Sequence, residues 1–264
     1  MHTAILHYHL HPGGVTRVIG SQVDALADLM AAGSLTVYTG DMREHGFSPV
    51  ASVDVKEEEV FGYLSTALPA EEMILRFEPV MDALQKIASA NDILHVHNLN
   101  LGKNPLFTLA YYRMACQGVH MVHHCHEFPE DRPANYSFLR SVISDLFDES
   151  LQDVLYPSLT NVHYIVLTSV DYKRLLRHGI ENDRIHLLPN PVSLPPGNTR
   201  GLSAKAVKKR LGIDPSLPLC LYPVRAIRRK NIGEFILLSV LFRDRASWVI
   251  TQPPRNPAEK PEYE

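Results

Sequence analysis

The sequence predicts an α/β fold in which a parallel sheet carries helices on both faces, followed by an incomplete second unit of the same type. Short apolar runs alternate with amphipathic stretches through the first 190 residues, and this alternation is typical of βα units that build a parallel sheet. The 264 residues are 45% hydrophobic and 21% charged, which is enough apolar material for a sizeable core. A proline-rich stretch then interrupts the pattern, and one more strand–helix–strand pattern follows it.

The chain begins with a strand and a helix that are joined by a glycine turn. Thr3–Tyr8 is a β-like apolar run, and Pro12–Gly14 forms the turn after it. From Val15 to about Ala32 the apolar residues recur at helical spacing and form one apolar face. We therefore predict a first βα unit whose helix begins directly after the two glycines.

The same alternation predicts the rest of the first domain. Gly118 and Gly179 follow two of the helices, as expected at helix C-termini, and Thr168 and Ser169 are good N-cap residues. The segment His123–Asn135 is predicted to be a polar loop. Strands are predicted at Ser34–Thr39, Ala51–Val55, Ile93–Val96, Val119–Val122, Val162–Leu167 and Ile185–Leu188. Helices are predicted at Pro69–Ala90, Pro105–Gln117, Ser137–Leu155 and Asp171–His178.

The prolines that follow the last of these strands divide the chain into domains. We predict a first domain over residues 1–190, a linker over 191–202 and a second unit over 203–264, because clustered Pro and Gly cannot continue a helix or a central strand. The second unit contains a single strand–helix–strand pattern, which leaves both sheet edges exposed. We therefore predict that it is incomplete: truncated, a fragment, or completed by another chain or copy. The alternative is a small lobe packed on the first domain. Its elements are predicted at Ser203–Leu211, Leu217–Tyr222, Asn231–Phe242 and Ser247–Thr251.

Composition excludes several classes of partner. A net charge of −3 and the absence of a regular aromatic stripe argue against nucleic acid. Three widely spaced cysteines indicate reduced thiols and a cytoplasmic protein, and no signal peptide is evident. The apolar run Ile232–Phe242 is too short to span a membrane, and the first domain has no basic amphipathic helix to support membrane contact.

Polar side chains follow the predicted strands at the points where the strands end. They include His7, His9 and His11 after the first strand, and His97 after another. Ligands of parallel α/β sheets bind beyond the carboxyl ends of the strands. We therefore predict a polar crevice at this edge, which the segment His123–Glu127 and the pair Thr168–Ser169 also line.

Two loops are candidates for binding an anion. Arg225–Asn231 follows a strand and opens a helix, where free N–H groups, the helix dipole and the Arg225 and Lys230 side chains suit a diphosphate. The region from Arg200 to Arg245 carries eleven Lys and Arg against three acidic residues. The alternative is a solvated basic loop. Gly13 and Gly14 also let a ligand approach a helix start closely, although a Gly-Gly turn is equally compatible with an ordinary βα connection.

The histidine-rich segment His123–Glu127 is the densest group of chemically active residues. His126 can act as a general base or bind a substrate hydroxyl, with Glu127 orienting it. The many imidazoles also suit zinc, which leaves a metal-dependent hydrolase as an alternative. No HExxH pattern occurs and acidic ligands are few, so we predict no metal. Cys125 lacks an oxyanion-hole signature, and we do not expect it to be a nucleophile.

The order of these motifs resembles a known family. The Pro-Gly-Gly turn after the first strand, His126-Glu127 after a middle strand and Leu188–Val192 at the hinge occur in sequence, and Tyr222–Arg225 is followed by Lys230-Asn231. Together they resemble the retaining glycosyltransferases of the GT-B fold, which have two Rossmann-like domains, in the branch of sucrose synthase-like and mannosyltransferase-like enzymes. The resemblance spans nearly the whole chain.

The resemblance implies a function and a role for each motif. Arg225 and Lys230 would hold the diphosphate of a nucleotide-sugar donor, and Gly13 and Gly14 would approach the same phosphates or the sugar from the other domain. His126 would contact the transferred sugar, with Glu127 close by. The sugar would pass to a carbohydrate or small hydroxyl acceptor with retention and without an obligatory metal or other cofactor.

Two departures from the family pattern qualify this expectation. The strand before Arg225 ends in Pro223-Val224 where the family usually has Gly, and no Glu-x7-Glu motif can be assigned. We therefore expect the 264-residue chain alone to bind donor weakly or not at all and to lack transfer activity. A non-catalytic sugar-nucleotide domain that acts as a partner subunit is the remaining alternative.

Overall fold

The chain divides into two compact units, Met1–Val192 and Ser193–Glu264. A computed structural model describes residues 1–43, 46–192, 203–226 and 230–252. Most of the predicted linker, residues 191–202, therefore lies outside the described residues.

The first unit is a seven-stranded parallel sheet in the order β3-β2-β1-β4-β5-β6-β7. The predicted fold class is thereby confirmed for this unit. Its strands are β1 (Thr3–His7), β2 (Leu35–Thr39), β3 (Asp54–Glu57), β4 (Ile93–His97), β5 (Met121–Cys125), β6 (Val162–Val166) and β7 (Ile185–Leu187). Its helices are α1 (Gly14–Ala27), α2 (Ala70–Ala90), α3 (Pro105–Cys116), α4 (Pro133–Ile143), α5 (Leu151–Leu155) and α6 (Ser169–Arg177).

The two faces of the sheet carry cores of different size. The larger core joins one face to helices α2 to α6, and Leu94 and Val96 of β4 belong to it. The smaller core joins the other face to α1, where Ile19 and Val23 pack on Ile5. Because side chains alternate along a strand, the histidines of β4 lie on the α1 face, in register with Ile5. The residues at the strand ends on that face are therefore polar rather than apolar.

Two predicted elements differ from the structure. The predicted helix Ser137–Leu155 is wrong: α4 and α5 are separate helices, Asp148 between them has a φ of +54°, and Ser150 caps α5 by accepting from Asp153 N. The predicted loop over His123–Asn135 is also wrong at its start, because β5 continues to Cys125. His123 and His124 are thus buried strand residues. A neutral imidazole can be buried in this way when it packs against other rings.

The second unit contains α7 (Ala204–Arg210), β8 (Leu219–Arg225), α8 (Ile232–Leu241) and β9 (Ser247–Gln252), with β8 and β9 paired in parallel. The register shifts between Tyr222 and Arg225, where Pro223 has no N–H for the ladder. Several apolar side chains of α8 are exposed, including Leu237 and Val240. Within the described residues, no helix is both long enough and apolar enough to cross a bilayer.

Candidate functional site

The topology places the candidate site at the carboxyl ends of β1 and β4. From β1 the chain extends the sheet to β2 on one side and to β4 on the other, and ligands of open α/β sheets bind at such a switch point. His7 ends β1 and His97 ends β4, and His7 Nδ1 lies 3.0 Å from the carbonyl oxygen of His97. The polar side chains predicted at the strand ends therefore meet at this edge of the sheet, and the crevice itself stays a prediction.

Four imidazoles stack along this edge on the α1 face. The ring centroids are 4.7 Å apart between His95 and His97, 4.7 Å between His97 and His124, and 4.4 Å between His124 and His126. A hydrogen bond of 3.0 Å joins His97 Nδ1 to His126 Nε2. Gln22 of α1 contacts His124 Nδ1 at 3.2 Å, so that α1 closes one side of the stack.

Burial keeps these imidazoles neutral at physiological pH. It lowers the pKa of His124 and of His126 to about 3, and repulsion from neighbouring rings adds to the effect. The pKa of His95 falls to about 4 for the same reasons, and that of His97 lies well below its ordinary value. A neutral imidazole exchanges hydrogen bonds with a hydroxyl but supplies no fixed positive charge. His126 is thus suited to contact a sugar hydroxyl.

Stacking also limits the ability of this cluster to hold a metal. One ring nitrogen each from His95, His97 and His124 lies within 4.8 Å of the others, and their Nε2 atoms are buried without a hydrogen-bond partner among the described residues. However, the rings of His95 and His97 are only 9° from parallel. The lone pairs of an imidazole lie in its ring plane, so parallel stacked rings cannot direct them to one tetrahedral ion. The site fits zinc poorly, and the metal-free site stays a prediction.

The loop after β5 is held by side-chain amides, which position His126 and Glu127. Asn98 Oδ1 accepts from the backbone N of His126 at 3.3 Å and of Glu127 at 3.0 Å, and Asn100 Nδ2 donates to Glu127 O at 3.0 Å. The Glu127 carboxylate accepts from Arg132. The prediction that Glu127 orients His126 is therefore wrong. The His126 imidazole is hydrogen-bonded to the imidazole of His97 instead.

Gly13 and Gly14 stand exposed at the start of α1. Gly13 is the extended N-cap residue, with a φ of −175° that any residue can adopt. A Cβ on Gly14 would meet nothing within 4 Å, so neither backbone strain nor packing requires glycine there. The space in front of this helix N-terminus is open to a ligand.

The predicted cationic pair belongs to the second unit. Arg225 is the last residue of β8, and its side chain lies outside the described part of the chain, as do residues 227–229. Lys230 is half-buried just before α8, and its carbonyl accepts from the Tyr222 hydroxyl at 2.6 Å. That these cations face Gly13 and Gly14 stays a prediction.

Two other candidates have structural roles. Burial raises the pKa of the Cys125 thiol, which disfavours the thiolate that a nucleophile requires. Thr168 caps α6 as predicted: its Oγ1 accepts from Asp171 N at 3.2 Å and donates to the Asp171 carboxylate at 2.6 Å. Lys103 and Arg132 lie at the same edge and could not be identified from the sequence, since single charged residues in loops form no motif.

Comparison with known proteins agrees with the predicted class. The chain is 31% identical over 271 aligned residues to the mannosylglucosyl-3-phosphoglycerate synthase of Petrotoga mobilis, an alignment that covers 97% of this chain and 51% of the relative. The chain thus spans about half the length of the curated relative it matches. No protein family model matches it.

Solved structures define the fold. A lipopolysaccharide outer core galactosyltransferase, WaaB, matches 96% of this chain and 68% of its own length at 12% identity, with a TM-score of 0.52. Anabaena HepE, solved with UDP and glucose, matches 96% of this chain and 61% of its own length at 13% identity, with a TM-score of 0.57. A UDP-N-acetylglucosamine 2-epimerase from Rickettsia bellii has a TM-score of 0.52 at 11% identity, covering all of this chain and 65% of its own length.

The fold is therefore that of the GT-B proteins, and the predicted resemblance to GT-B-fold glycosyltransferases is confirmed. Within that class, the chain is a homologue of the Petrotoga mannosylglucosyl-3-phosphoglycerate synthase.

Proposed function

We propose that this chain forms the acceptor side, and the beginning of the donor side, of a glycosyltransferase. The reaction passes a sugar from a nucleoside-diphosphate sugar to an acceptor hydroxyl with retention. The observation that carries the proposal is the buried imidazole pair His97–His126 at the β1/β4 switch point, in a chain that is 31% identical to a mannosylglucosyl-3-phosphoglycerate synthase.

Electrostatics support the proposed donor-binding groups. The leaving group is a diphosphate, on which negative charge develops as the sugar–oxygen bond breaks, and fixed positive charge stabilises that state. Arg225 and Lys230 supply the charge from the second unit, and the α1 N-terminus beside Gly13 and Gly14 adds its dipole. With these groups in place no metal or other cofactor is obligatory. The neutral His126 imidazole contacts a hydroxyl of the sugar, and Glu127 stands beside it.

The name of the relative supports a proposal for the chemical class of the acceptor. The name of the Petrotoga synthase contains 3-phosphoglycerate, a compound with a carboxylate and a phosphate. We propose an acceptor that bears this acidic group and a free sugar or small-molecule hydroxyl. A cytoplasmic location and association with a completing chain or a second copy are predictions as well.

The direct test uses a chimera in which this chain replaces the segment that it matches in the Petrotoga relative. We expect mass spectrometry to detect a glycosylated product from a nucleoside-diphosphate sugar and a phosphoglycerate-bearing acceptor, and NMR to show a retained anomeric configuration. The double variant Arg225→Ala, Lys230→Ala should lose about a hundredfold or more in rate, as when stabilising donors are removed elsewhere. A chimera that makes no product under conditions in which the parent relative does, or a fully active double variant, would contradict the proposal.

Replacement of Gly14 tests whether the donor binds close to the N-terminus of α1. Gly14→Ala should leave the free energy of unfolding unchanged or raise it by up to about 1 kcal/mol, since Ala is the better helix residue. The added methyl group fills space reserved for the ligand, so KM for the donor in the chimera should rise about tenfold. Gly20→Ala, six residues later in α1, is the matched control and should leave KM unchanged. An unaltered KM in Gly14→Ala would remove Gly14 from the donor site.

A further inference from the structure

A rigid loop holds Lys103 at the carboxyl edge of the sheet. The carbonyl of Lys103 accepts from Leu64 N at 2.9 Å. The next residue, Asn104, donates through Nδ2 to Val60 O at 2.9 Å and Gly62 O at 2.8 Å. The position of Lys103 is therefore fixed before any ligand binds, which reduces the entropy lost on binding.

The ammonium of Lys103 is half-buried. Its Nζ contacts Asn135 Oδ1 at 3.3 Å and lies 5.7 Å from the centre of the Tyr63 ring. Among the described residues, no carboxylate forms an ion pair with it. Burial lowers the pKa of Lys103 and repulsion from Arg132 lowers it further, against the smaller opposing effect of the Glu127 carboxylate. A cation held in this way is stabilised strongly by an incoming anion.

Arg132 brings a second cation to the same place, and the two share one carboxylate. The Arg132 guanidinium donates to Glu127 from Nη2, and about a third of the side chain is exposed (34%). A guanidinium has five N–H donors. Lys103, Arg132 and Glu127 together carry a net charge of +1, next to His126. Tyr63 links the group to the segment that follows β1, since its hydroxyl lies 3.0 Å from His9 Nε2.

We infer that Lys103 and Arg132 form the subsite that binds the acidic group of the acceptor, a carboxylate or a phosphate. This inference rests on the proposed transferase function and names the residues that select its acceptor. Lys103 provides a compact charge and Arg132 a planar donor array for two oxygens. The subsite lies within unit 1, so it is formed without any contribution from the second unit.

The test is equilibrium binding of 3-phosphoglycerate to the 264-residue chain by calorimetry. We expect Lys103→Gln and Arg132→Gln each to raise Kd about tenfold or more, as for the loss of a charge-assisted hydrogen bond. Lys86→Gln on α2 and Arg140→Gln on α4, both exposed, are the matched controls, and their Kd should stay within about twofold of the wild-type value.

Glycerate and glycerol 3-phosphate, as separate probes, tell which acidic group is bound. The urea midpoint of each variant shows that it is folded. Equal affinity in Lys103→Gln and wild type, or no binding to the wild type at millimolar concentration, would overturn the inference.

A second measurement separates this subsite from the proposed function. Transfer by the chimera to a neutral acceptor, with Lys103→Gln as active as wild type toward the acidic acceptor, would overturn the subsite and leave the transferase standing. Loss of 3-phosphoglycerate binding in Lys103→Gln, with no transfer to any acceptor, would support the subsite and contradict the transferase.

Discussion

Lowering the pH from 7.5 to about 5 should unfold the first unit in metal-free buffer, with an uptake of several protons. The cause is a set of buried imidazoles whose pKa values lie far below the ordinary 6.5. Burial lowers the pKa to about 3 or 4 at His7, His95, His123, His124 and His126, and well below 6.5 at His97.

The sign of the effect follows from proton binding. Below pH 6.5 the unfolded chain protonates these buried histidines, while the folded chain keeps them neutral until the pH approaches 3 to 4. Stability is therefore complete above about pH 6.5 and falls as the pH decreases from there. Each such group contributes up to about 1.4 kcal/mol per pH unit. Three such groups together lower the free energy of unfolding by about 4 kcal/mol per pH unit. This loss is comparable with the whole stability of many domains.

The measurement is urea unfolding followed by far-UV circular dichroism between pH 7.5 and 5.5. His95→Phe removes a buried ring that has no hydrogen-bond partner at Nε2 among the described residues, and it should reduce the uptake by about one proton. His2→Gln, at an exposed position, should leave the slope unchanged. A stability that stays constant from pH 7.5 to 5.5 would show that these imidazoles are hydrated or charged in the folded protein.

The order of strands and helices could be predicted because each βα unit leaves a local pattern. Pro105 at the start of α3 and Gly118 after it bound that helix in the sequence as in the structure. The break before α5 could not be predicted, because an Asp in the sequence does not by itself show the left-handed conformation that Asp148 adopts. The sequence pattern predicts His123 and His124 to be polar loop residues, because it does not show that a neutral imidazole can pack against other rings in a core.

The candidate site could be predicted only in part. The alternation of histidines after strands indicated where the crevice lies, since parallel strands end at one edge. The pairing of side chains could not be predicted. Glu127 follows His126 in sequence, yet successive residues point in different directions, and the carboxylate meets Arg132 instead. Lys103 and Arg132 approach each other only because two loops after different strands meet.

Gly102→Ala should destabilise the first unit by about 2–5 kcal/mol. Gly102 has a φ of +69°, a left-handed conformation that costs a residue with a Cβ about 1–2 kcal/mol. The new Cβ would also lie 2.2 Å from Leu139 Cγ and 2.3 Å from its Cδ1. Leu139 is completely buried in the larger core, so it cannot move without disturbing its neighbours, and overpacking of this kind costs about 1–3 kcal/mol.

Gly118→Ala is the matched control, because Gly118 has a φ of +89° but its Cβ would meet nothing within 4 Å. Both variants lose the freedom of a glycine in the unfolded chain, so the difference between their free energies of urea unfolding isolates the contact with Leu139. Equal losses of unfolding free energy in the two variants would show that Leu139 and α4 move away from the new Cβ without cost. Gly102 precedes Lys103, and Leu139 lies on the helix that follows Arg132, so a shift of either segment away from the added Cβ would move one of the two cations. Gly102→Ala should therefore weaken 3-phosphoglycerate binding in the fraction that folds, whereas Gly118→Ala should leave it unchanged.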